Sequence, residues 1–485
     1  MARGKQTKDA TASPDVYVSP LVARNASPEM AALFSPRHRV RTWRRIWLAL
    51  AEGQRSLGLP IRAGQIAALR RGLEIIDLSA AAAHEKRLRH DVMAHLHAYA
   101  DVAPSARGIL HLGATSMDVV DNADLLILRE ALHRIRGWLL TTVDALAAQA
   151  RRHRDLPCLG FTHYQPAQLT TLGKRISLWC WDFVRDLEEI ERRIADLRFR
   201  GIRGATGTQA SFLTLLGGGA RVRRLEALVA RKLGFTACEP VTGQTYSRKV
   251  DAQVVSTLAT IAAGVHKYAN DMRLLANLKE VEEPFEKAQV GSSAMAYKRN
   301  PMLSERATGL SRFVISLAQS GYQNAAEQWL ERTLDDSSNK RLLIPEAFLA
   351  TDGILQIAAH VARGMVVYPR VIRARIDAEL PFIATEDILM AAAAAGGDRQ
   401  ALHERIRVHA QAAAAQVKLH GRPNDLLERL SRDPAFTGIR LRDIMNPARY
   451  VGLAPRQVDG FLRQVIAPLK RRYRGILRPR PRIEV

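Results

Sequence analysis

The run Gly291-Ser292-Ser293-Ala294-Met295-Ala296-Tyr297-Lys298-Arg299-Asn300-Pro301 concentrates more chemistry than any other part of the chain. It has neither helical nor strand periodicity, and Pro284 and Pro301 bracket its neighbourhood. Gly291 frees the backbone, two hydroxyls follow at once, and Lys298, Arg299 and Asn300 add two cations and an amide. Such a loop can set a hydroxyl and a cation around an anionic substrate and close over it. A solvated surface loop is the plainer alternative for a Gly-Ser-Ser tripeptide taken alone.

Four more polar islands interrupt the apolar pattern. The first, Arg87 to His95, holds Arg89, His90 and Asp91. His90 and His95 are spaced poorly for joint metal ligation on one helical face, so a capped helix start with solvated charges accounts for it as well. The second, His111 to Asp118, places Thr115 and Ser116 where they can cap a helix, and a helix N-terminus also favours an anion. The third, Gly160 to Gln168, sets Thr162 and His163 among turn residues; an imidazole there can hold or give a proton near neutrality. The fourth joins Thr242 to Lys249, with Gln244, to Glu331 to Arg341, with Arg332, Ser337 and Arg341. Ser337 and Arg341 share one side of a helix, and guanidinium groups pair with carboxylate or phosphate. Each stretch alone also reads as a surface ion-pair network.

Long helices must position these islands. Apolar residues recur at three- and four-residue steps over 131–150, 178–197 and 254–278, where Leu258, Ile261, Val265, Tyr268 and Met272 form one stripe. Further helical stretches cover 312–318 and 347–365, and strand signals are few. The fold class is all-α, with long central helices whose apolar stripes call for partners. The 485 residues suffice for two or three domains. A glycine turn at 113–115 and Tyr368-Pro369 divide them into 1–115, 116–367 and 368–485, with a flexible tail over 1–16. Gly201, Gly204 and Gly207 form a loop rather than a dinucleotide fingerprint.

Composition narrows the class. No run of about 18 apolar residues predicts a membrane span, and 1–16 lacks the apolar core of a secretory signal. Cys158, Cys180 and Cys238 form no paired motif, which fits a reducing cytoplasm and neither a disulfide framework nor zinc. Net charge is +24, dispersed along the chain and densest from Lys470 to Arg482. No nucleic-acid-binding module accompanies it, so weak, salt-sensitive adhesion to nucleic acid is the most it implies.

The 291–300 run resembles the signature loop of the fumarase/aspartase superfamily, Gly-Ser-x-x-Met-x-x-Lys-x-Asn. Glu282 to Arg306 is similar to its version in the adenylosuccinate lyase family. The four islands match that family in the same order. So do Tyr17-Val18-Ser19-Pro20-Leu21, Gly204 to Phe212 and Leu380-Pro381-Phe382. The resemblance spans about residues 17–470 and lies closer to the animal-type branch. Three positions depart from it: Ala296 stands where the family usually has proline, Asn25 where it has tyrosine, and Asp118 where animal-type members often have tyrosine.

The resemblance implies a three-domain, all-α homotetramer with active sites shared between subunits. It implies β-elimination of fumarate from adenylosuccinate and from the succinyl derivative of aminoimidazole carboxamide ribotide, with no metal or organic cofactor. It makes Ser292 the general base and His163 the general acid, with Lys298 and His90 beside them in the catalytic set. Lys298 and Asn300 then hold carboxylates, helped by Thr115, Ser116, Thr162 and Gln244. His90 and Asp91 lie near the ribose, phosphate or catalytic histidine, and Arg89 joins the substrate-binding set. Arg24, Arg306, Ser337 and Arg341 serve the phosphate, and Arg332 the nucleotide region. A sister lyase acting on another succinyl-amine, or a basic nucleic-acid-binding descendant, are the alternatives.

Overall fold

In a computed structural model, residues 15–286 and 288–483 are described. The expected flexible tail therefore lies outside the described residues, apart from Asp15 and Val16. Seven helices position the polar islands: α1 (Pro36–Ser56), α2 (Asp91–Val102), α3 (Ser116–Arg152), α4 (Leu172–Asp196), α5 (Lys249–Asn277), α6 (Met302–Ala326) and α7 (Asp335–Gly364). Their interiors hold few helix breakers. Pro345 in α7 is an exception, and it leaves the Arg341 carbonyl without its usual helical donor.

α3, α4, α5, α6 and α7 form an up-and-down bundle. α3, α5 and α7 run one way. α4 turns back where Gly173 N donates to His153 O, and Ala252 of α5 packs on Gly321 near the other end of α6. The stripe read from the sequence faces inward, since Leu258, Ile261 and Val265 are fully buried. At about 1.5 Å per residue α3 spans about 54 Å, so the bundle has two widely separated ends. The first carries Ser116, Lys249 and Asp335. The second carries His153, Leu278 and Gly364. α7 is long and apolar enough to cross a membrane, yet its apolar window is 83% buried inside the bundle.

Among the described residues two short antiparallel ladders accompany the helices. β1 (Pro157–Thr162) pairs with β2 (Gln165–Thr171), and β3 (Val281–Glu282) with β4 (Val366–Val367). The hairpin has no Asn-Gly or other glycine signal. His163 and Tyr164 themselves take positive φ, 50° and 56°, and make the two-residue turn. A second, smaller apolar core, with Ile388, Leu402, Leu426 and Phe436, serves residues 384–444. Val458, Leu462 and Ile466 then return the chain to the main core.

The interior is acidic. Among the described residues, ten buried side chains are carboxylates and four are cations. Asp186 on α4 is one of the ten, and its Oδ2 has no hydrogen-bond partner. Burial, then Asp182 and Glu189, push its carboxyl up to about 7. Such a group contributes most stability below its unfolded pKa and loses that contribution as pH rises through the folded value. Asp186→Asn should therefore raise the melting temperature at about pH 8.5 by on the order of a few degrees. The gain should shrink by about pH 5.5. Calorimetric scans of both proteins across that range check it.

Candidate active site

Three of the four polar islands meet at the first end of the bundle within one chain. His90 caps α2, its Nδ1 accepting from Met93 N–H at 3.4 Å, and its Nε2 lies 3.4 Å from Ser116 Oγ at the start of α3. Asp91 Oδ2 lies 3.5 Å from the Arg341 guanidinium. Arg89 is exposed, in the left-handed conformation (φ 54°) that ends the preceding helix, Leu78–Leu88. His95 points elsewhere, its ring edge-on to Trp43.

Asp118 organises this end. Its carboxylate accepts from the Thr115 N–H at 2.8 Å, closing the first turn of α3. It also accepts from Arg200 Nη1 at 2.5 Å and from the Arg203 N–H at 2.6 Å. The 201–207 glycine loop is thereby tied beside Ser116. That loop in turn meets Gln244, whose Nε2 donates to Ala205 O at 2.9 Å and whose N–H donates to Glu331 O at 3.0 Å. Ser337 and Arg341, one turn apart on α7, line a cavity of about 150 Å³ together with Arg332.

A buried ionic chain supports that wall. Arg332 Nη1 donates to Asp336 Oδ1 at 2.6 Å, and Arg248 Nε donates to Asp336 Oδ2 at 2.6 Å. Arg248 also forks onto Asp121, at 3.0 and 3.2 Å. Burial works to raise the Asp121 carboxyl, but Arg248 and Lys340 outweigh it and hold the group below its ordinary range. Lys340 donates to Tyr246 Oη at 2.9 Å and sits 2.8 Å from Asp124. The two stretches of the fourth island are thus joined, but by buried charges rather than a surface network. Asp121 and Asp124 were not legible as site residues. One signal was present: Asp118, Asp121 and Asn122 occupy the i, i+3, i+4 positions of the stripe that Leu125 and Leu128 continue.

The other chemistry lies at the second end. His163 stands at the exposed tip of the β1–β2 hairpin, beside Thr162. The signature loop leaves β3 and enters α6. Glu283 fixes its base, accepting from the N–H groups of Leu303 and Ser304 (both 3.0 Å) and from Ser304 Oγ (2.9 Å). Asn300 Nδ2 donates to Gly291 O at 2.9 Å and folds the loop on itself. Ser292 Oγ accepts from the Met295 N–H at 3.2 Å, Lys298 is exposed, and Arg306 follows in the first turns of α6. Arg175 links hairpin and loop base. Its Nη2 donates to Leu159 O at 2.6 Å, and its Nη1 lies 4.0 Å from Glu280.

The predicted residues therefore fall into separate groups in one chain. Thr115, Ser116, Gln244, Arg332, Ser337, Arg341 and the 89–91 segment share the first end; Thr162, His163, Ser292, Lys298, Asn300 and Arg306 share the second. The bonds of Ser292 and Asn300 stay within their own loop, while His90 reaches Ser116 at the other end. Arg24 belongs to neither. Its segment lies on the flank of the bundle, where Asn25 O accepts from Gln356 and abuts Gly353, about 24 Å along α7 from Ser337.

This long-helix bundle, with polar loops at both ends, is the architecture of the fumarase/aspartase lyases. Residues 70–316 match the family model described as lyase, and residues 381–461 match that of the adenylosuccinate lyase C-terminus. The chain is 25% identical to 3-carboxy-cis,cis-muconate lactonizing enzyme from Pseudomonas putida, with a TM-score of 0.78 over 92% of this chain and 98% of that one. It is 26% identical to a fumarate lyase from Mesorhizobium sp. BNC1, with a TM-score of 0.75 over 90% and 98%. Adenylosuccinate lyase of Saccharomyces cerevisiae is 50% identical over 93% of this chain and 95% of its own length. The chain belongs to the adenylosuccinate lyase family.

Proposed function

We propose that this chain cleaves adenylosuccinate to AMP and fumarate, and the succinyl derivative of aminoimidazole carboxamide ribotide in the same way. The reading rests on one observation above others: an exposed imidazole and a serine-bearing loop occupy one end of the bundle, and a cationic, hydroxyl-rich wall occupies the other. In this mechanism Ser292 takes the proton from the carbon beside a carboxylate, and His163 protonates the departing nitrogen. The Met295 N–H aimed at Ser292 Oγ favours an anionic oxygen there. Lys298 and Asn300 hold the carboxylates, and charge that grows during proton removal meets fixed cations.

The two ends lie too far apart to serve one substrate within one chain. The site therefore forms between chains packed with their bundles antiparallel, so that the second end of one meets the first end of another. Exposed apolar side chains along the helices, among them Leu178, Trp181, Phe313, Ile315 and Leu342, suit such packing. We take the assembly to be a homotetramer in the cytoplasm, with domains over 1–115, 116–367 and 368–485. A spectroscopic assay of fumarate release from adenylosuccinate, beside a His163→Ala control, tests the activity. No release by the wild-type protein would sink it.

Asn25, where the family carries tyrosine, leaves the Arg24 segment without a phenol. Its Nδ2 is spent on Pro20 O, at 2.9 Å. Asn25→Tyr should lower KM for adenylosuccinate by about threefold or more, the worth of one recovered hydrogen bond, with kcat unchanged. Steady-state kinetics of the variant give the answer, and an unmoved KM would contradict it.

A further inference from the structure

The basic C-terminal segment does not hang free. Residues 475–483 double back over the bundle, crossing α3 where Gly137 has no side chain; a Cβ there would meet Leu477 O at 3.1 Å and Pro479 at 3.2 Å. Thr141 Oγ1 donates to Pro479 O at 3.2 Å, and the Arg482 N–H lies 3.5 Å from Gln356 Oε1 on α7. Arg478 is used up as an anchor, donating to Asp144 at 3.1 Å and to the carbonyls of Tyr473 and Ile476. The prolines of Arg478-Pro479-Arg480-Pro481-Arg482 stiffen the strap and limit the freedom it loses on binding.

This path sets Arg480 and Arg482 in the wall of a cavity of about 490 Å³ that also holds Arg24 and Asn25. Among the described residues the carboxylate in that wall is Glu29, and it lies 3.4 Å from Arg134. Arg24, Arg480 and Arg482 are exposed and have no carboxylate partner among the described residues. Three guanidiniums around one cavity, without a carboxylate partner among the described residues, repel each other and favour an anion between them. Their forked donors suit a phosphate better than a lone carboxylate.

We propose that Arg480 and Arg482 bind the phosphate monoester of the nucleotide together with Arg24, supplying donors that the tyrosine-to-asparagine change at position 25 removes. The inference rests on the reading of Arg24 as a substrate-phosphate residue. It gives the basic strap a specific ligand instead of a diffuse charge.

The test compares wild type with Arg480→Gln/Arg482→Gln by titration calorimetry, using AMP and fumarate as probes at fixed ionic strength. Both side chains are solvent-exposed, so the fold is retained, which circular dichroism verifies. AMP affinity should fall by about tenfold or more, as expected when charge-assisted bonds to phosphate are lost, while fumarate affinity stays the same. Arg480→Lys/Arg482→Lys should recover part of it, since an ammonium keeps the charge but not the fork. AMP affinity within about twofold of wild type would overturn the inference, and so would an equal loss for fumarate, the mark of a general field. Failure of the wild-type protein to bind AMP would overturn it too. A wild type that binds AMP through the strap but releases no fumarate from adenylosuccinate supports this site and counts against the proposed reaction.

Discussion

Ser292→Ala and His163→Ala should each lower kcat by at least about a hundredfold, the low end of what a positioned acid or base contributes. Neither change should disturb the fold. His163 sits at an exposed hairpin tip, and Ser292 accepts a local bond from the Met295 N–H. Loss of turnover with unchanged helical content would therefore report chemistry rather than unfolding. His163→Ala also probes how the site is assembled. If the second end of one chain meets the first end of another, mixing and reassembling inactive His163→Ala and His90→Ala variants should restore up to about a quarter of the wild-type rate. Near-normal turnover of either single variant would remove that residue from its role. A mixture that stays inactive after verified subunit exchange would place both histidines on one chain.

Arg248→Met should have the largest effect on stability. It strips two buried carboxylates, Asp121 and Asp336, of their shared partner. Asp336 keeps Arg332 and Asp121 keeps Lys340, but removing one partner from a buried ion-pair network typically costs about 3–5 kcal/mol. The exposed pair Arg373–Asp377 is the contrast: breaking it should cost at most about 1 kcal/mol. Urea unfolding midpoints of the two variants separate the cases. Because Asp336 also holds Arg332, the Arg248 variant should raise KM for the nucleotide substrate as well. Equal stabilities for both variants would show that the buried chain is dispensable.

The long helices were readable because their stripes keep one period over many turns, as Leu258 to Met272 do. The hairpin was not, because its turn is made by His163 and Tyr164. Residues with a Cβ pay strain for positive φ, so neither advertises such a turn. The polar islands were legible as local runs, and so was the N-terminal cap at Thr115. What joins them was not. Arg248 and Asp336 stand 88 positions apart, and a charged residue on an amphipathic helix reads as facing water. The separation of His163 and Ser292 from His90 and Ser337 was equally hidden, since it follows from which end of a 37-residue helix each loop leaves.

The excess of carboxylates over cations in the interior has an outward counterpart. Charge taken inside as anion is missing from the exterior, so the solvent-facing shell is more cationic than the whole-chain value of +24. A substrate carrying about four negative charges diffuses toward such a shell faster than toward a neutral one, and dissolved ions blunt that pull. Encounter rates for this protein should fall steeply as ionic strength rises, even where the chemistry after capture is unaltered.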